Sequence, residues 1–221
     1  MADNQVLYER TLEQYNERAF AHEYAAAIED RVDLWIFDEF MPHVPAGGAV
    51  LDVASAGGRD SAYLRDRGFN VTGIDYSREL TELAREKHPD IAFVQGDFTK
   101  LPFEDESFDG VWCKAALVHL PSQDAVRQAL AEFWRTLKPG GTLLVNTKGR
   151  RPGEPETTVR TDKLSGKERF FRFQEEEEFL GLLKSAGFEV GFTRFYNEQD
   201  GQQHTNLRDE NWLTVVATKV G

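Results

Sequence analysis

Between residues 49 and 147 short apolar runs alternate with stretches of helical spacing, and this alternation limits the fold more than any other feature of the chain. The runs at 49–54, 70–74, 91–95, 110–113 and 141–147 read as strands. The stretches at 59–67, 78–87 and 122–137 read as helices. Strands separated by helices argue for a parallel sheet covered on both faces. Lys138-Pro139-Gly140-Gly141 ends the third helix and turns the chain into the fifth strand.

Outside that block the pattern changes. Leu7, Leu12, Tyr15, Ile28, Val32, Trp35, Ile36 and Phe40 recur at helical spacing, predicting two helices over residues 4–40 with a break near Phe20 to Tyr24. Residues 41–48 are turn-forming, so residues 1–45 would make a helical lid. Residues 148–173 read as a basic loop, with eight Lys and Arg against Glu154, Glu156, Asp162 and Glu168. A helix follows over 174–186, with Glu175 to Glu178 in the first turn, where the helix dipole favours acids, and Gly187 at its end. Strands at 188–196 and 212–218 have no helix between them and can pair antiparallel. The expected fold is α/β: a seven-stranded, mostly parallel sheet ending in an antiparallel hairpin.

A chain of 221 residues suits one domain, taken here as 1–221. No apolar run approaches the roughly 18 residues of a membrane span, and the polar start MADNQVLYER is no secretory signal. One cysteine, Cys113, rules out an internal disulfide framework and fits a reducing, cytoplasmic setting. A net charge of −12 would repel a nucleic-acid backbone, so none is expected as partner. The five histidines lack metal-ligand spacing, and no metal is expected.

In an open parallel sheet, ligands bind beyond the carboxyl ends of the strands, where the strand order reverses. After the first strand comes Ala54-Ser55-Ala56-Gly57-Gly58; after the second, Asp75; after the third, Asp97 and Phe98; after the fourth, Lys114; after the fifth, Lys148. An acid in the position of Asp75 can accept hydrogen bonds from both hydroxyls of a ribose; capping the next helix is its alternative. Asp97 can accept from the exocyclic amine of an adenine that Phe98 packs against; a turn Asp and a core Phe are the alternative.

"VLDVASAGGRD", "VTGIDYS", "IAFVQGDFTKLPFEDESFDGVWC" and "ALAEFWRTLKPGGTLLV", in that order and spacing, resemble the class I S-adenosylmethionine-dependent methyltransferases across nearly the whole chain. The resemblance implies a Rossmann-like sheet and S-adenosylmethionine as cofactor. It implies that Asp52 orients the first loop near the cofactor amine and that the backbone from Ala54 through Ala56 to Gly58 faces the methionyl part. Asp75 would hold the ribose, Tyr76, Asp97 and Phe98 the adenine, and Lys114 would lie near the methionyl end, mainly through its main chain. Tyr15 and Tyr24 of "YNERAFAHEYA" would touch the cofactor from the lid. The family commonly has glycine at positions 54 and 56. The two alanines are compatible with the loop if their φ angles are negative. Arg59 is either a partner for the cofactor carboxylate or an ordinary surface arginine.

Methyl transfer from a sulfonium needs a held, aligned nucleophile and a general base only when a proton must leave. His119 is the candidate base; a structural role at the start of the following helix is its alternative. The basic segment suggests an anionic small-molecule acceptor held by Lys148, Arg150, Arg169 and Arg172, although a solvated loop would carry the same charges. A nicotinamide-dependent oxidoreductase is the first rival, but the G-x-G-x-x-G loop is missing. A degenerate, non-catalytic cofactor-binding module is the second, with the two alanines as its support.

Overall fold

The structure is a computed structural model and describes residues 4–30, 32–199 and 210–221. Three N-terminal helices, α1 (Asn4–Tyr15), α2 (Arg18–Ile28) and α3 (Leu34–Phe40), precede β1 (Ala49–Val53), α4 (Arg59–Arg65), β2 (Asn70–Asp75), α5 (Arg78–Lys87), β3 (Ala92–Gln95) and β4 (Phe108–Lys114). Then come α6 (Gln123–Thr136), β5 (Leu137–Arg150), β6 (Thr157–Thr161), β7 (Glu168–Arg172), β8 (Gln174–Glu175), α7 (Glu176–Ser185), β9 (Phe188–Asn197) and β10 (Asn211–Lys219).

The main sheet runs β3-β2-β1-β4-β5-β10-β9, with the short β8 pairing the end of β5. β1 to β5 are parallel; β10 runs antiparallel to both β5 and β9. The strand order reverses between β1 and β4, which opens a crevice at their carboxyl ends. Much of the polar loop between β9 and β10 lies outside the described residues.

Both sheet faces are buried, and the period of two is visible residue by residue. Leu51, Val53, Val111, Cys113, Leu143 and Val145 point to one side, onto Val126, Leu130 and Phe133 of α6 and Phe179 of α7. Val50, Trp112, Leu144 and Val216 point to the other, onto Ile36, Phe37 and Phe40 of α3 and Leu64 of α4. Ser77 and Ser122 cap α5 and α6 by accepting from Leu80 N and Ala125 N, each at 3.1 Å.

Two expectations are corrected. The N-terminal region holds three helices, broken at 16–17 and 29–33 rather than at 20–24. Phe20, Ala21 and Ala25 are buried on one face of α2, so that stretch is continuous helix. Residues 148–173 are not a loop: β6 and β7 form an antiparallel hairpin. Its tip is an Asp162 turn, where Oδ1 accepts from Leu164 N and Ser165 N. The hairpin buries Phe170 and Phe171 and docks on α1 through Phe170 N–H to Thr11 Oγ1 at 3.0 Å.

Candidate active site

The carboxyl ends of β1, β2, β4 and β5 open into a cavity of about 1330 Å³, bounded by α1, α2 and the β6–β7 hairpin. Pockets for one drug-sized ligand run to roughly 1000 Å³, so this one has room for two molecules side by side.

The loop after β1 turns through Ala54 at φ 56° and Ala56 at φ 48°. Both are left-handed, so the condition of negative φ is not met and the loop forms with alanines in the strained region. Ala115, after β4, is a third left-handed alanine on the same cavity, at φ 58°. Backbone strain of this kind persists where surrounding bonds over-determine it. Here Ser55 N donates to Ile74 O (3.0 Å), Ala56 N to Asp75 Oδ2 (2.9 Å) and Gly58 N to Ser55 O (2.9 Å). An L-residue pays about 1–2 kcal/mol for this conformation, and glycine gives back roughly half to chain entropy. Ala54→Gly and Ala56→Gly should each raise stability by about 0.5 kcal/mol in urea unfolding; a loss at either position would show that its methyl contact outweighs the strain. Gly58, also left-handed, does not line the cavity: a Cβ there would lie 2.8 Å from the Phe93 ring, so it serves packing behind the loop.

Asp75 is buried, and its carboxylate accepts from Ala56 N and from Ser77 N at 2.8 Å. Burial pushes its pKa up to about 6 against those two bonds. A carboxylate has about four acceptor positions, so two remain for a ligand. Ser77, not Asp75, caps α5. Asp97, Phe98 and the exposed Tyr76 line the same end; Asp97 Oδ1 also holds its own turn through Thr99 N and Oγ1, both at 2.8 Å. Asp52 accepts from Ser61 Oγ at 2.5 Å, and burial beside Asp60 raises its pKa. Arg59 lines the cavity and is no surface arginine. Its Nε meets Asp60 at 2.6 Å and its Nη1 meets Ile28 O at 2.7 Å, tying the end of α2 to α4. Lys114 reaches Asp33 at 2.7 Å, so its side chain, not only its main chain, shapes the site.

Tyr15 and Tyr24 meet edge to face at 5.1 Å in the roof. The Tyr15 hydroxyl accepts from Arg169 Nη1 (2.6 Å) and lies 3.3 Å from His119 Nε2. His119 Nδ1 donates to Phe170 O (2.8 Å), and Arg169 pairs with Asp162 at 2.7 Å. Burial, then the Arg169 charge, pushes His119 down to about 3. A base of that strength is far from the value near 7 that proton transfer favours. His119 lines the cavity and links roof to hairpin in its neutral form, and Ser122, not His119, caps α6.

The basic segment is also reassigned. Lys148 pairs with Glu210 and lines the cavity, as Arg169 does. Arg150 and Arg172 do not line it. Arg150 pairs with Glu175 (2.8 Å) and Glu178 (2.7 Å), around a separate cleft. Arg172 is buried, donating to Leu120 O (3.0 Å) and Pro121 O (2.7 Å) and pairing with Glu156. Arg172→Ala strands two carbonyls and should cost about 3 kcal/mol of stability; an unchanged urea midpoint would contradict this role. All four expected anion-binding side chains thus have carboxylate partners. Among the described residues, nine carboxylates and six cations line the cavity, so its field favours a cation over an anion. Sequence reasoning missed Tyr8, whose hydroxyl pKa is raised by burial and then by Asp97, together with Trp35, Asn146, Arg194, Tyr196 and Trp212. Tyr8, Leu12 and Tyr15 share the i, i+4, i+7 face that would have revealed the first.

Residues 51–145 match the family model described as a methyltransferase domain. The chain is 38% identical over 118 residues to a demethylmenaquinone methyltransferase of Renibacterium salmoninarum, covering 53% of this chain and 48% of that one. It is 40% identical over 158 residues to a ubiquinone biosynthesis O-methyltransferase of Xanthomonas axonopodis pv. citri, covering 66% and 64%. A SAM-dependent methyltransferase structure from Methanosarcina mazei shares the fold, with a TM-score of 0.72 at 22% identity over 81% of this chain and 96% of that one. Residues 51–145 thus carry a methyltransferase domain, and the fold around them is that of S-adenosylmethionine-dependent methyltransferases. The chain spans about half the length of the first curated relatives it matches. The family's cofactor is S-adenosylmethionine, and the residues present fit it. Asp75 keeps acceptor positions for a ribose, and the acid-rich walls suit a sulfonium with its ammonium group. Among the described residues no helix is long and apolar enough to cross a membrane.

Proposed function

We propose that this methyltransferase transfers the methyl group of S-adenosylmethionine to a small-molecule acceptor, releasing S-adenosylhomocysteine. The observation that carries this reading is the single cavity running from Asp75 and Asp97, under β2 and β3, to Lys148 and Trp212 on β5 and β10. Cofactor and acceptor fit in it together. The names of the quinone-pathway relatives favour a small molecule, and the acid-rich cavity disfavours nucleic acid. A cytoplasmic setting fits the single, buried Cys113.

When bound, the cofactor supplies a methyl group on a sulfonium that is already a good leaving group. The chain's residues bind, orient and exclude water. Asp75 accepts from the ribose hydroxyls; Asp97, Phe98 and Tyr76 hold the adenine; Asp52 and the backbone of 54–56 face the methionyl end. Tyr15 and Tyr24, braced by Arg169 and His119, cover it. The same acidic walls disfavour the pyrophosphate of a nicotinamide dinucleotide.

Incubation with S-adenosylmethionine and a mixed library of small acceptors, with detection of S-adenosylhomocysteine, tests this. Release that depends on an acceptor supports catalysis. Cofactor binding with no release from any acceptor class would favour the non-catalytic module.

A further inference from the structure

The acceptor end of the cavity has a chemistry of its own. In the antiparallel register of β5, β10 and β9, Lys148 stands opposite Trp212 and Trp212 opposite Tyr196. Directly paired residues share a sheet face, so these three side chains form one row. The next row on that face, two residues deeper, is Asn146, Thr214 and Arg194. Trp35 of α3 meets Tyr196 edge to face at 5.2 Å and 85°. Phe171 of the hairpin lies 5.8 Å from the Lys148 ammonium. Trp35, Phe171, Tyr196 and Trp212 all line the cavity, on the half of the sheet away from Asp75.

Two cations of this end stand over its rings. Lys148 pairs with Glu210 and lies 4.4 Å from the Trp212 ring centre. Arg194 lies 4.6 Å from the Trp35 ring centre. The protein's own cations thus hold the cation–π positions that a cationic acceptor would need. An anionic acceptor would have to compete with Glu210 for Lys148. An uncharged ring brings no charge to desolvate and gains edge contacts with the aromatic groups around it. Asn146 spends its amide hydrogens on Tyr196 Oη (3.1 Å) and Thr214 Oγ1 (2.8 Å), leaving its Oδ1 to accept.

We propose that this end of the cavity is the acceptor subsite and that it takes a flat, uncharged aromatic ring bearing a hydroxyl or N–H donor. The proposal rests on the methyltransferase reading above and names its acceptor class.

The test is calorimetry on the protein with and without saturating S-adenosylhomocysteine, using 2-naphthol, its saturated counterpart decahydro-2-naphthol, and 2-naphthoate. The expected result is 2-naphthol binding about tenfold more tightly than either of the others. Trp212→Leu and Trp35→Leu should each weaken 2-naphthol by about fivefold to tenfold and leave S-adenosylhomocysteine within about twofold. Equal binding of the saturated alcohol, or tighter binding of the anion, overturns the proposal. Ring preference without S-adenosylhomocysteine binding would keep the subsite and remove the cofactor reading. S-adenosylhomocysteine binding without ring preference would do the reverse.

Discussion

Asp75→Ala lowers the affinity for S-adenosylmethionine by about 100-fold or more, at two charge-assisted hydrogen bonds of roughly 1.5–3 kcal/mol each. The loss has two parts. The ribose hydroxyls lose their acceptor, and Ala56 N–H loses the bond that holds a left-handed loop residue in place. Asp75→Asn keeps one acceptor oxygen and should fall between the two. The affinity also carries a pH signature. Burial holds the ligand-free carboxyl at about 6, and only the charged form can accept from both hydroxyls. Binding therefore releases a proton when the site starts protonated. Affinity should fall about tenfold per unit below pH 6, and Asp75→Ala should abolish that slope. Titration calorimetry across pH 5–8 checks both statements; a slope that survives in Asp75→Ala would assign it to another group.

Trp112→Ala lowers the unfolding free energy by about 3–5 kcal/mol, the range for a buried large aromatic. Trp112 is fully buried, stacked on Phe37 at 4.1 Å and edge to face with Phe40 at 5.4 Å. Its Nε1–H donates to Asp60 Oδ2 at 3.2 Å, so truncation also strips a buried carboxylate of a partner. Because Phe37 and Phe40 belong to the helix that carries Trp35, the same contact seats one wall of the acceptor subsite. In a chain this long the melting temperature should drop by about 6–20 °C. A drop under about 2 °C would mean that α3 does not rest on the sheet through Trp112.

What the sequence made legible follows from which forces act locally. The parallel strands and their helices repeat a local pattern of apolar period and caps, and Arg78–Lys87 is a helix over its expected span. The loop and Asp75 were legible because their chemistry is tied to the ends of those strands. The N-terminal break was misplaced because α1 buries Thr11 and Gln14 rather than its leucines, an arrangement set by the hairpin docked against it. The hairpin itself was hidden by charge. Arg169 and Arg172 read as acceptor-binding or solvated, yet both are buried against Asp162 and Glu156 of the same segment, and the sequence does not reveal who pairs with whom. The aromatic row of Tyr196 and Trp212 depends on the register between distant strands, which no local pattern encodes.

The most direct test of the central claim is calorimetric titration of the intact chain with S-adenosylmethionine, S-adenosylhomocysteine and NAD. One site should bind both sulfur compounds and leave NAD silent. NAD binding, or no binding of either sulfur compound, would contradict that claim.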